Sequence, residues 1–288
     1  MFLQRTLRKK IEVKGIGIHT GKPATLRFCP APAGAGIHFV RTDLDGQPFV
    51  KTQVDNVKAT QMATTLGNSD LYVSTVEHCL SAVTAYRIDN LTIEVDGPEI
   101  PIVDGSAAPF LEALLSAGFV DLDSPRKYAY VTEHLQLGDG EKYAYIAPYN
   151  GLRISCTIDF SHPKIGLQEI DIDIDERTFK EQIASARTFG FLKDAEALRA
   201  MGLGLGGSLD NAIILDDKKI LNPEGLRFDN EFVRHKVLDA LGDLATAGAP
   251  IMGHIVLYKA GHDVMNKLVK KLLSSPQSFV MKELANSI

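Results

Sequence analysis

Along the first third of the chain apolar and polar residues alternate with a period of two, at Ile11, Val13 and Ile16 to Ile18, at Ala24 to Phe28 and at Ile37 to Val40. Successive side chains of a strand point to opposite faces, so this pattern predicts half-buried strands separated by glycine and proline turns. The period then changes. Val76, Leu80 and Val83 recur at helical spacing and predict a helix over about 74–87, with Ser74 and Glu77 placed to form a capping box. A strand over 91–95 follows, then a second helix over 109–117, opened by Asp104 or Ser106 and stopped by Gly118.

Residues 121–126 are polar and contain a proline, the character of a linker, and a new hairpin begins at Tyr128. A boundary there divides the chain into an N-terminal domain over 1–125 and a C-terminal domain over 126–288. The second half repeats the order of the first: strands to Phe160 with a turn at Gly138-Asp139-Gly140, a helix near 175–184, a short strand over 212–215 and a helix over about 230–247. Strands grouped ahead of helices predict an α+β fold rather than an alternating parallel α/β sheet, here as two similar layered sandwiches.

Composition narrows the class. At 45% hydrophobic content, 288 residues can bury two cores. The basic start, Met1 to Lys10, leads into alternation and not into an apolar run, which argues against a secretory signal, and no segment has the apolar length of a membrane span. Cys29, Cys79 and Cys156 are far apart and form no CxxC pair, which fits a reducing compartment without disulfides or a cysteine-rich metal cluster. A net charge of -5 argues against broad nucleic-acid binding, so an anionic ligand has to be met by locally placed lysines or arginines.

Candidate chemistry begins on the helix over 230–247, where His235 and Asp239 project from one face a turn apart. On a wheel Val233, Val237, Leu241 and Leu244 fall on one side, and Phe232, His235, Lys236, Asp239 and Asp243 on the other. Taken alone, the spacing reads more readily as a solvated face with a His–Asp pair than as a site. The first helix alters the balance, because Glu77-His78 lies among Ala82 and Ala85 and not among long charged residues. Glu77 also suits a helix cap and His78 an ordinary buried histidine. Together His78, His235 and Asp239 make an N/N/O set, the pattern of catalytic zinc sites that keep a fourth position for water, with the adjacent carboxylate as natural general base.

Other groups carry two readings each. Gly261-His262, in a glycine-flanked turn after a strand over 255–258, offers either a positioned acid or a surface histidine. Ala186-Arg187-Thr188-Phe189-Gly190-Phe191 offers a hydroxyl and two aromatics for an oxyanion contact and an apolar wall, or a plain strand end. The glycine-rich stretch 202–207 lacks the Lys-Ser/Thr of a phosphate-cradling loop and reads as a flexible loop or lid. Lys142, Lys236 and Lys259 form a phosphate site only if a cleft gathers them.

Thr75-Val76-Glu77-His78, the segment 186–191, the run Arg234-His235-Lys236-Val237-Leu238-Asp239-Ala240-Leu241-Gly242-Asp243 and Gly261-His262 together resemble the UDP-3-O-acyl-N-acetylglucosamine deacetylases of lipid A biosynthesis. Gly15 to Gly21, Val103 to Ala107 and Gly206 to Ala212 extend the resemblance, which runs in order over nearly the whole chain. It implies two βαα sandwich domains facing each other across the active site, with small inserts shaping an acyl passage; the apolar stretch 192–205 is a candidate wall. It implies zinc, or ferrous iron in the cell, held by His78, His235 and Asp239, with Glu77 as general base, His262 as general acid and Asp243 as its orienting partner. The Thr188 hydroxyl then meets the oxyanion. Lys236, Phe160, Lys142 and Lys259, with Phe189, belong to the substrate-binding set around the nucleotide. The expected partner is a UDP-linked acylated aminosugar, and the expected protein is a cytoplasmic monomer without nucleic-acid partners or stable membrane insertion. Two other readings stand beside this one: a non-catalytic sugar-nucleotide or lipid-binding module with a structural metal, and a metal-free enzyme in which Glu77 and His262 work alone.

Overall fold

The computed structural model describes residues 2–283. The alternating segments of the first half form a five-stranded sheet in the order Ile11–Ile16, Pro23–Pro30, Leu91–Val95, Ile37–Arg41, Phe49–Lys51, antiparallel except where Ile37–Arg41 runs parallel to Leu91–Val95. A small three-stranded sheet of Val57–Ala59, Thr65–Gly67 and Tyr72–Val73 stands beside it. The second half builds a seven-stranded sheet around Ile251–Tyr258, which is flanked by Lys142–Ala147 on one edge and pairs in parallel with Lys127–Val131 and Leu152–Phe160. The fold is α+β, as the grouping of strands and helices predicts.

Between the sheets lie the helices that carry the site. We number the chain's helices α1 (Glu77–Ala85), α2 (Ala108–Ala117), α3 (Glu176–Thr178), α4 (Ala195–Ala200), α5 (Glu231–Leu244) and α6 (His262–Leu273). α2 packs on the first sheet and on α1, α5 and α6 back the second sheet, and α1 packs directly on α5. Consequently α5 is buried almost all round: Val233, Val237 and Leu241 are fully covered, and His235, Asp239 and Asp243 are buried as well. The polar side of the wheel is not solvated; it is covered by α1.

That crossing is unusually close, and one residue permits it. A Cβ at Gly242 would come within 2.6 Å of the Glu77 Cα and nearer still to its carbonyl, so only glycine lets the two backbones touch here. Gly242→Ala is therefore expected to force α1 away from α5. It should cost about 1–3 kcal/mol of stability, as overpacking typically does. A thermal unfolding midpoint unchanged from the parent would rule this out.

Four expectations need correction. The polar stretch 121–126 is not a linker: Phe119–Pro125 is a strand that pairs antiparallel with Leu3–Leu7, its polar side chains facing solvent on a two-stranded ribbon. Ser74 and Glu77 form no capping box; α1 starts after Val76 without a side-chain cap, and the Ser74 hydroxyl accepts from Thr65 Oγ1 instead. The predicted helix over 175–184 is a single α-turn, capped by a reciprocal Asp175–Thr178 box, that widens into a π-turn over Phe179–Ile183. His262 is not in a turn but is the first residue of α6, whose apolar Met265, Leu268, Val269 and Leu272 keep helical spacing.

Candidate active site

α1 and α5 bring Glu77, His78, His235, Asp239 and Asp243 to one point, and the start of α6 adds His262. Ligand atoms of His78, His235 and Asp239 all lie within 4.8 Å of one another. The two imidazoles meet edge to face at 4.8 Å between centroids, and the Nε2 atoms of His78 and His235 stand 3.5 and 3.2 Å from Asp239 Oδ1. The Ala186 carbonyl can only accept, so the 3.0 Å contact from His235 Nδ1 makes that nitrogen the donor and leaves the Nε2 lone pair facing Asp239. Burial pushes the His235 imidazolium down to about 3, which keeps the ring neutral. Two imidazole nitrogens and a carboxylate at this separation fit a divalent metal of the zinc or ferrous class.

Beside this cluster stand two more carboxylates, Glu77 and Asp243, and the imidazole of His262. Glu77 is 3% exposed; its Oε2 accepts from the Thr64 amide at 3.0 Å, and its Oε1 lies 3.9 Å from His262 Nε2. Burial raises its pKa against the opposing pull of His262 and His78. His262 Nδ1 donates to Asp243 Oδ2 at 2.8 Å. Burial works against the imidazolium, but Asp243, by charge and hydrogen bond, with help from Glu77, pushes the His262 pKa up to about 10. A carboxylate that favours accepting a proton thus faces an imidazolium that holds one.

Thr188 reaches the site on the segment 186–191. That segment is fixed by a buried ion pair, Arg187 Nε to Glu231 Oε1 at 2.9 Å, at the start of α5. The Thr188 amide donates to the Gly105 carbonyl at 2.8 Å, and Gly105, at φ +83°, has no room for a Cβ against the Asn211 carbonyl. Glu77, His78, Thr188 and Phe189 line one cavity of about 350 Å³ whose apolar wall includes Leu192, Leu198 and Ile214. The stretch 192–205 contributes to that wall, although Leu205 instead packs on Gly21. A larger cleft of about 790 Å³ opens near the C-terminal end of α1, between Ile37, Tyr128, Leu152 and Pro250, and is lined by none of these site residues.

The four candidate nucleotide contacts divide. Lys236 Nζ lies 2.9 Å from Asp239 Oδ2 and 5.4 Å from the centre of the Phe189 ring, at the edge of the cluster. Phe160 stands edge-on to Phe189 at 5.7 Å, one ring further out. Lys259 is instead paired with Asp159 at 2.7 Å, and Lys142 starts the strand whose Tyr143 pairs with Tyr258, so these two lysines mark a neighbouring sheet end and not the His/His/Asp cluster. The sequence reading passes over Thr64, against Glu77, Asp243 and His262, and the role of the Ala186 carbonyl; it also passes over buried Glu99, which stands behind the cavity, accepting from the amides of His19 and Thr20 and from the hydroxyls of Thr20 and Thr75. Only Glu99 had a local signal, a carboxylate set among Pro98, Ile100 and Pro101.

Comparison with known proteins gives a consistent result. The family model described as UDP-3-O-acyl N-acetylglycosamine deacetylase matches residues 4–274. A UDP-3-O-acyl-N-acetylglucosamine deacetylase of Bdellovibrio bacteriovorus is 60% identical over 288 residues, covering 100% of this chain and 95% of that protein. Proteins of the same name from Myxococcus xanthus and Syntrophus aciditrophicus are 49% and 44% identical, covering 96% and 99% of this chain and 88% and 91% of their own lengths.

Proposed function

The chain belongs to the UDP-3-O-acyl N-acetylglycosamine deacetylase family, and on that premise we propose a role for each residue of its site. The protein is a deacetylase: it hydrolyses the N-acetyl group of UDP-3-O-acyl-N-acetylglucosamine, the first committed step of lipid A biosynthesis. His78, His235 and Asp239 are the residues that hold the metal in this proposal, zinc being the ion the donor set suits, with ferrous iron as its alternative. Such an ion, when bound, supplies a water of lowered pKa and polarises the amide carbonyl.

The chain's own residues do the rest. Glu77 accepts the proton of the attacking water, for which its burial and raised pKa suit it. The Thr188 hydroxyl donates to the carbonyl oxygen as it gains charge. His262, held protonated by Asp243, donates from Nε2 to the departing nitrogen, a step that an amine leaving group requires. Lys236 meets the anionic part of the substrate, and Phe189 and Phe160 flank it; Lys142 and Lys259, at the neighbouring sheet end, are assigned to the diphosphate. The apolar cavity along 192–198 takes the 3-O-acyl chain. The observation that carries this reading is a buried carboxylate and a partly buried imidazole 3.9 Å apart beside a three-donor cluster.

We also propose a domain division at 125/126, supported by the separate sheets on either side, and a cytoplasmic monomer. The free state of Cys29, Cys79 and Cys156 supports a reducing compartment, and no helix of the described residues is long and apolar enough to cross a membrane.

One experiment separates the readings. Acetate release from the acylated sugar nucleotide is expected to vanish on chelation and to return with added zinc, with one metal-dependent activity per metal-loaded chain. Activity that survives complete metal removal would leave only the metal-free reading, and bound metal without acetate release would leave only the binding module.

A further inference from the structure

Thr64 lies in the first half of the chain, on the segment leading into the strand Thr65–Gly67, and is 2% exposed. Its amide donates to Glu77 Oε2 at 3.0 Å, and its carbonyl accepts from the Val76 amide at 3.3 Å, at the turn that enters α1. Its hydroxyl donates to Asp243 Oδ1 at 2.6 Å and sits 3.3 Å from His262 Nδ1. One residue therefore touches the base, the acid and the acid's orienting partner, and it is the first half's hydrogen-bond link to a pair that belongs wholly to the second half.

We propose that Thr64 is a positioning residue that locks the acid–base geometry of this site, an inference that rests on the roles given above to Glu77, His262 and Asp243. The geometry is divided between its two donors. With Oε2 occupied by the amide, only Glu77 Oε1 is left toward His262 Nε2 and the substrate. With Asp243 Oδ1 occupied by the hydroxyl, only Oδ2 is left for His262 Nδ1, which fixes the ring plane and directs Nε2 at Glu77. A hydroxyl that donates to the carboxylate keeps its lone pairs on the Nδ1 side, so it also serves as the weaker second acceptor of that N–H. Without it, Asp243 Oδ1 is a buried oxygen with no donor, and the carboxylate can rotate to offer either oxygen to His262.

The amide contact survives any substitution that keeps the backbone, whereas the hydroxyl contact does not, so the two can be told apart. Thr64→Val keeps the shape and removes only the hydroxyl function. It is expected to lower kcat by roughly 10- to 100-fold, the scale of a small misplacement of reacting groups, with KM changed by less than about threefold and metal content unchanged. Thr64→Ser should restore kcat to within about threefold of the parent. Should Thr64→Val fail to fold, Thr64→Ala and Thr64→Ser differ by the hydroxyl alone, and only the alanine variant should lose kcat. The proposal is overturned if the valine or alanine variant retains kcat, if the serine variant is as impaired as they are, or if the loss falls on KM or on bound metal. Failure of the proposed chemistry itself has a different signature, since the parent chain would then release no acetate or would ignore chelation.

Discussion

Replacing Glu77 by glutamine is expected to lower turnover by roughly 100- to 10,000-fold while leaving the metal content of the chain unchanged. Glutamine is isosteric and keeps an oxygen for the Thr64 amide, so the entry into α1, and with it His78, stays in place. What it cannot do is accept a proton. The stability effect has the opposite sign. Burial raises the folded pKa of Glu77 above its ordinary 4.5, so the ionised carboxylate costs folding free energy: nothing below about that value, and the full amount once pH exceeds the raised pKa. Glutamine carries no such cost. At neutral pH the variant should therefore unfold at the same temperature as the parent or higher, while being nearly inactive. Acetate release, metal analysis and thermal unfolding on one preparation check all three points. Turnover near that of the parent, with metal bound, would remove Glu77 from its role as base, and a lowered unfolding midpoint would show that its burial is not a strain on the fold.

How much of this was readable in the chain depends on whether a residue's role is local. The strands at 24–28, 37–40 and 91–95 announce themselves because one face of each is buried against helices, and burial imposes the period of two. The ribbon strand Phe119–Pro125 has little buried on either side, so its polar composition looks like a linker. α6 does carry its signal, in Met265, Leu268, Val269 and Leu272, but the glycine before His262 draws attention to a turn, and Gly261 serves as the N-cap of the helix itself. The α5 wheel separates apolar from polar positions correctly and yet misleads about solvent, since a second helix covers the polar side through the contact at Gly242.

The site divides along the same line. His235, Asp239 and Asp243 are related by helical spacing, which sequence displays, and His78 follows Glu77 directly. Thr64 is a threonine in an ordinary polar run, and nothing within its neighbourhood in sequence points to Asp243, 179 residues away. Its contacts exist only because α1 and α5 cross where they do. The Ala186 carbonyl is invisible for a further reason: it is backbone, and no residue type encodes which nitrogen of His235 it will hold. Lys259 shows the converse. Its type suits a phosphate contact, and the sequence gives no sign that Asp159 lies 2.7 Å from its ammonium.

On the roles proposed above, Asp243 is expected to set the alkaline end of the pH profile, and Asp243→Asn to move it downward. In the parent, His262 has a pKa of about 10, raised from 6.5 by the charge and hydrogen bond of Asp243 against the effect of burial. The acid is therefore competent at neutral pH and is lost as pH rises through about 10, whereas its contribution to folding is complete only below about 6.5, declines between the two values and is gone above about 10. Asparagine retains an oxygen for His262 Nδ1 and an amide that Thr64 Oγ1 can accept from, so the packing is kept and the charge removed. Burial then acts with less opposition, and only Glu77 and Asp239 still favour the imidazolium. If the ring returns no further than its ordinary value of about 6.5, its protonated fraction at pH 9 falls from roughly nine-tenths to about 0.3%, a loss of about 300-fold in kcat/KM that shrinks to less than about twofold at pH 6. Because Glu77 Oε1 lies 3.9 Å from His262 Nε2, the two limbs belong to the pair and the acid limb should shift with the alkaline one. A pH series of kcat/KM for parent and variant decides the matter: a profile lowered evenly at every pH, with its limbs unmoved, would mean that Asp243 holds His262 in place without setting its charge.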